Sequence, residues 1–154
     1  MPARINFNLT DDARRGLDAV EVEMENIGLE IVKHAANYLD DNKINVEGDV
    51  KKFLYSEVDR FLNLIRLKAG SSVRHAPYVY FGTKPHWPPR APLVRWAKKK
   101  FGLTDRDAKR VGYLVARKIS RKGTEAKPFM DHALAKVAGT FADRVGDAFV
   151  RGIG

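Results

Sequence analysis

The chain has 154 residues and no cysteine, and carries a formal charge of +9; this length suits one domain that buries roughly 70% of its unfolded surface. Missing thiols exclude disulfides, cysteine nucleophiles and Cys-ligated zinc or iron–sulfur sites, and suit a reducing cytoplasm. No apolar run is long enough for a bilayer and none follows Met1-Pro2-Ala3-Arg4 as a signal peptide would, so a soluble protein with no membrane partner is expected.

Ile5, Phe7 and Leu9 alternate with polar residues, the pattern of a short half-buried strand. Thr10 is placed to cap a helix, with Asp11 and Asp12 at the positive end of its dipole. Leu17, Val20, Met24, Ile27, Ile31, Ala35 and Tyr38 then recur at three and four, which predicts one long amphipathic helix ending near Asp40-Asp41-Asn42. Its outer side is acidic, with Asp18, Glu21, Glu25 and Glu30.

Residues 50–69 satisfy two periods. Val50, Phe53, Leu54, Val58, Phe61, Leu62 and Ile65 fit a helix, whereas Phe53-Leu54-Tyr55 and Leu64 to Ala69 fit strands. Gly70-Ser71-Ser72 ends either element. Three prolines then stiffen Lys84-Pro85-His86-Trp87-Pro88-Pro89, which excludes a central strand, and an aromatic–proline bond there can be cis. A short helix from about Pro92 places Leu93, Trp96, Ala97 and Phe101 inward and Lys98 to Lys100 outward, with Gly102 as its stop.

Thr104-Asp105-Arg106-Asp107 opens the next helix as a capping box with Asp in place of Glu. Ala108, Val111, Val115 and Ile119 share one side; Arg106, Lys109, Arg110, Arg117 and Arg121 share the other, with Tyr113 among them. Lys122-Gly123 closes this helix. Pro128 starts a last helix with Phe129/Met130, Ala133/Leu134, Val137, Phe141, Val145 and Phe149 inward, fraying at Gly152-Ile153-Gly154.

Charge is segregated along the chain. Residues 84–127 hold 14 Lys/Arg against three acids, a local charge of +11, while the rest holds 14 basic and 16 acidic side chains, or −2. A negatively charged partner is therefore expected to meet this segment, with Arg106, Lys109, Arg110, Tyr113, Arg117 and Arg121 as its contacts. A solvated helix face is the plainer reading of the same stripe. Trp87 reads either as an exposed anchor or as the cap of a small core under its own loop.

Chemistry finds no constellation. The four histidines (34, 75, 86 and 132) lack metal-ligand spacing, and there is no nucleophile elbow and no phosphate-cradling glycine loop. No catalytic, cofactor-binding or metal residue is assigned, and a non-enzymatic protein is expected.

Four stretches carry a family resemblance. They are Ala76-Pro77-Tyr78-Val79-Tyr80-Phe81-Gly82-Thr83 with its Pro-His-Trp-Pro-Pro sequel, Pro92-Leu93-x-x-Trp96, Gly123-Thr124-Glu125-Ala126-Lys127-Pro128-Phe129-Met130, and Val46-Glu47-Gly48-Asp49-Val50. Over about residues 46–140 the chain resembles the tail-component family of lambdoid phages, a family associated with head–tail joining or tail completion. It departs from that pattern at His75, where an aromatic is common, and at Tyr80, where an acid or histidine is common. The resemblance implies an α+β fold: a long N-terminal helix, a small antiparallel sheet that resolves 52–69 as a hairpin, a helical basic insertion, and a C-terminal helix packed on the sheet. It also implies a virion protein of a phage or prophage, present in the host bacterial cytoplasm during assembly, whose partners are neck or tail proteins.

The stiff aromatic loop, with Tyr78, Phe81, Gly82, Thr83, His86 and Trp87, then reads as a docking element of low entropy. A turn serving only the fold is its other reading. An acidic first helix and a basic insertion are complementary, which predicts head-to-tail contacts and a homo-oligomeric ring. DNA contact by the basic segment, within the particle or in a nucleic-acid-binding module unrelated to virions, is the alternative expectation.

Overall fold

A 31-residue helix, α1 (Asp11–Asp41), is the element on which the rest of the body leans. Its start follows from local chemistry: the Thr10 hydroxyl accepts from the Ala13 amide, and Asp11 and Asp12 occupy the first turn. The computed structural model describes residues 10–42, 49–62 and 64–154. The alternating segment Ile5 to Leu9 and most of Val46 to Val50 lie outside these.

After α1 come α2 (Asp49–Lys52), β1 (Leu54–Phe61), β2 (Leu64–Ser71), α3 (Ala76–Phe81), α4 (Arg90–Phe101), α5 (Asp105–Lys122) and α6 (Phe129–Ile153). The strand reading of 54–71 is the correct one: β1 and β2 form a two-stranded antiparallel sheet in register from Leu54 opposite Ser71 to Phe61 opposite Leu64. Leu62 turns between them with φ 56°, a left-handed value uncommon for a branched apolar residue. An isolated two-stranded ribbon is marginal in water, so the sheet needs α1 beneath it. Val58, Ile65 and Leu67 supply that contact by packing on Val20 and Met24.

The fold is the α+β arrangement expected, with one refinement of packing. The main partner of α6 is α1, and the sheet leans on α1 as well. Ile27, Ile31, Ala35 and Leu39 of α1 meet Phe129, Ala133 and Val137 of α6 in the main buried cluster. Further along, Val20 and Met24 meet Ala148, with Phe149 alongside. Because Gly16 lacks a side chain, the Phe149 ring can lie against it; a Cβ there would sit 2.6 Å from the ring. The fraying expected at Gly152 does not occur. Gly152 is helical and crosses α1 so closely that a Cβ on it would fall 2.5 Å from the Arg15 carbonyl oxygen and 2.7 Å from Gly16 Cα. Contact with α1, rather than helix propensity, carries α6 to Ile153.

The acids of α1 are largely satisfied within the chain. Arg60 of β1 pairs with Asp18 and Glu21, and Arg144 of α6 donates to Glu23 at 2.7 Å and Glu30 at 2.6 Å. Lys51 reaches Asp40 and Arg15 reaches Asp12. The Glu30 carboxyl is held below the usual glutamate range, mainly by the Arg144 hydrogen bond, which outweighs the opposing effect of burial. A depressed carboxyl contributes fully above its unfolded pKa and loses that contribution as pH falls through the folded value. Arg144→Gln should therefore cost about 1–2 kcal/mol near neutral pH, since the clamp is only partly shielded from solvent. The deficit should shrink in acid below the ordinary glutamate range. Urea midpoints across pH check this, and a deficit independent of pH would point to lost packing instead.

A candidate partner-binding arm

Residues between α3 and α6 leave the body and return to it at one place. Gly82-Thr83 and Gly123-Thr124 lie side by side: the Thr83 amide donates to the Thr124 carbonyl at 3.1 Å, and the Thr124 amide donates to the Thr83 carbonyl at 3.1 Å. The two threonine hydroxyls are 3.0 Å apart and hydrogen-bonded. Each preceding glycine has extended ψ at positive φ (69°, −173° at Gly82; 70°, −157° at Gly123), a region essentially closed to other residues. Side chains are excluded here for a second reason: a Cβ on Gly82 would meet the backbone of Thr124 to Ala126, and one on Gly123 the backbone of Thr83 and Lys84. The Lys127 amide, shared between the Val79 and Tyr80 carbonyls at 2.9 and 3.1 Å, fastens the return chain to α3.

Beyond this root, α4 and α5 form a helical hairpin whose extensive contacts are with each other. Ala97 of α4 and Ala108, Gly112 and Ala116 of α5 are buried, and Gly112 lets α5 come within 3.2 Å of the Val94 amide as measured from an ideal Cβ. Val111, Val115 and Ile119 flank this line half-buried, so the side expected from periodicity is right while its deepest positions are the small residues. Phe101 departs from expectation. It is 53% exposed, with its ring edge on Trp96 (centroids 5.6 Å apart) and Lys100 over both rings, because a two-helix hairpin is too thin to enclose it.

The cap of α5 also differs in detail. The Thr104 hydroxyl accepts from the Asp107 amide and donates to the Asp107 carboxylate at 2.9 Å, so a side chain shorter than Glu turns to the hydroxyl. Asp105 pairs with Lys98 of α4. Both acids of the first turn of α5 are thus engaged away from the stripe. Among the described residues, Arg106, Lys109, Arg110, Arg117 and Arg121 find no carboxylate partner. Arg60, Arg144, Lys51 and Lys68 of the body all do.

The aromatic sequence motif does not form one loop. Tyr78 and Phe81 lie on α3, which Pro77 helps to start; Phe81 is 74% exposed, its only ring neighbour among the described residues being Tyr80. Gly82 and Thr83 build the root. His86 and Trp87 lie on the extended stretch that climbs the arm, where His86 Nδ1 donates to the Lys84 carbonyl at 2.9 Å. Trp87 does not cap a core: it is 54% exposed and rests edge-on against Tyr113, with ring centroids 6.1 Å apart, while Pro88 is the buried residue beneath. All peptide bonds in this stretch are trans.

Sequence reasoning missed the pairing of the two roots. Its signal was the repeated Gly-Thr dipeptide at 82–83 and 123–124. It also overstated the acidic outer face, because Asp18, Glu21 and Glu30 face cations of the same chain. Charge complementarity between copies is correspondingly reduced.

An open groove of about 770 Å³ runs between β2 and α6, lined mainly by Met24, Leu67, Met130, Leu134, Val137 and Phe141. At its rim the Tyr80 hydroxyl donates to Asp131 at 2.6 Å, and this bond raises the tyrosine pKa. Among the described residues no three His, Asp or Glu side chains converge as metal ligands, and no helix is long and apolar enough to cross a membrane. No protein-family model, no curated protein and no solved structure matches the chain.

Proposed function

We propose that this chain is a non-catalytic assembly protein of a phage or prophage particle, acting at the head–tail junction or tail end, with the α4–α5 arm as its contact element. One observation carries the reading. Two stretches of the family resemblance, 41 positions apart in sequence, meet as a single hydrogen-bonded root at Thr83 and Thr124. Motif residues that interlock in space are the expected result when both serve one structural device. The device presents a basic arm and exposed aromatics, features of a docking surface, and among the described residues no His, Asp or Glu cluster able to hold a metal accompanies it. Self-association in the particle would then draw on exposed apolar surface, such as Phe61, Leu62 and Leu64 at the hairpin tip, more than on the acids of α1.

Deleting the gene should leave DNA synthesis, lysis and head formation intact while abolishing infectious particles. Electron microscopy of the lysate decides the matter: separate full heads and tails support the role, and normally joined virions refute it.

A second reading, a nucleic-acid-binding module, is favoured by the stripe of α5 cations that lack carboxylate partners among the described residues, whereas Lys51, Arg60, Lys68 and Arg144 of the body have them.

A further inference from the structure

We propose that the arm binds single-stranded nucleic acid, with Trp87 and Tyr113 stacking on unpaired bases and the α5 cations holding the phosphates. The inference rests on the nucleic-acid reading above and adds strandedness and the recognising atoms. Three observations lead to it.

First, the rings are placed inside the charge. On a helix, positions three and four apart are surface neighbours, so Lys109, Arg110 and Arg117 surround Tyr113 on α5. Trp87 reaches the same spot from the adjoining extended chain. Second, the edge-on contact between the rings leaves ring surface open, at 54% exposure for Trp87 and 43% for Tyr113. Two exposed aromatics within a field of cations are poorly explained by folding, since the arm buries Ala97, Ala108, Gly112 and Ala116 instead. Third, the cations run beyond the rings in both directions. Arg106 to Arg121 covers fifteen helical steps, about 22 Å, long enough to follow several successive phosphates.

These features select among polyanions. Duplex nucleic acid hides its base faces in the stack and would use the cations alone. An acidic protein offers carboxylates but few flat rings. A single strand supplies both phosphates and free base faces, and stacking platforms beside a basic track are how such strands are held without sequence preference.

The test is fluorescence anisotropy with the full chain, using a labelled single-stranded DNA of mixed sequence and a hairpin duplex with an equal number of phosphates. The expected result is tighter binding of the single strand by about tenfold or more, with W87A and Y113A each losing about fivefold or more on that strand alone. Trp87→Phe should restore most of the loss. Changing Arg110, Arg117 and Arg121 to Gln should lower the slope of log K against log salt by about 0.7 per cation on the single strand. Because both rings are exposed, circular dichroism should show all variants folded. Equal or tighter duplex binding, unmoved by W87A and Y113A, overturns the inference while leaving the nucleic-acid reading standing. No binding to either probe, or displacement by polyglutamate as effective as by DNA at equal charge, overturns both.

Discussion

Gly123→Ala should cost about 3 kcal/mol or more, a fall of ~10 °C in melting temperature for a chain of this size. Two effects add at this position. The backbone stands at φ 70° and ψ −157°, which an alanine adopts only under strain, and the new Cβ would fall on the Thr83 carbonyl oxygen with Lys84 C at 2.9 Å. Neither neighbour is a side chain that can swing aside; both are backbone held by the Thr83–Thr124 hydrogen bonds. Gly82→Ala should behave alike, because a Cβ there would sit 2.7 Å from the Ala126 amide nitrogen. Gly139→Ala is the control: it lies within α6 with open space around it, and replacing a helical glycine should stabilise by about 0.5–1 kcal/mol. Thermal unfolding of the three variants tests this, and hydrogen exchange locates the loss. Protection should fall first at Thr83, Thr124 and the arm helices. A melting temperature within about 2 °C of the wild type for Gly123→Ala would mean that the root closes in some other way.

Ile27→Ala should destabilise the body by about 2–5 kcal/mol, the cost of deleting a large buried side chain whose surroundings cannot collapse. Among the described residues Ile27 is the largest fully buried side chain, central in α1 where the helix serves the main cluster with α6. Next to it, Gly28 allows Ser56 of β1 to approach within 2.8 Å of where a Cβ would stand, so this part of α1 is walled by the sheet as well. The α6 cluster on one side and the close approach of the sheet at Gly28 on the other limit relaxation, which favours the upper part of that range. The urea midpoint should fall with its slope unchanged. A cost below about 1 kcal/mol would show that α1 is not the element on which the fold depends. Exchange patterns should distinguish the two variants, since loss of Ile27 exposes α1, the sheet and α6 together.

Much of this architecture was legible because its signals are local. The Thr10 and Thr104 caps, the stripe from Val20 to Ala35 and the Gly102 and Gly123 stops depend on residues within a few positions of each other. Residues 54–71 were not decidable from periodicity, since apolar side chains there satisfy both a helical and an alternating count; only pairing across Val58–Leu67 and its neighbours resolves them. Phe101 misled because apolarity says that burial is favourable, not that a neighbour exists to provide it. Gly112 gave no signal and Gly152 pointed to a frayed end for the converse reason: a residue without a side chain adds nothing to a hydrophobic pattern, yet permits the closest approaches. At the candidate site, the cationic stripe was visible and its lack of acid partners was not. Likewise, the Trp87–Tyr113 contact joins residues that no sequence spacing connects.

The root at Thr83 and Thr124 bears on how such a protein can change over generations. Reciprocally hydrogen-bonded residues across an antiparallel bridge have Cα atoms about 5.5 Å apart, a gap that a tight turn of two residues spans. Everything from Lys84 to Lys122 is therefore topologically a cassette: it enters and leaves through one doorway, and the body closes around that doorway rather than around the cassette. Lineages sharing this body could exchange long arms for short ones, or basic for acidic, without renegotiating the α1–α6 interior. Partner choice and foldability would then be inherited separately, and the Gly-Thr pairs would outlast the sequence they enclose.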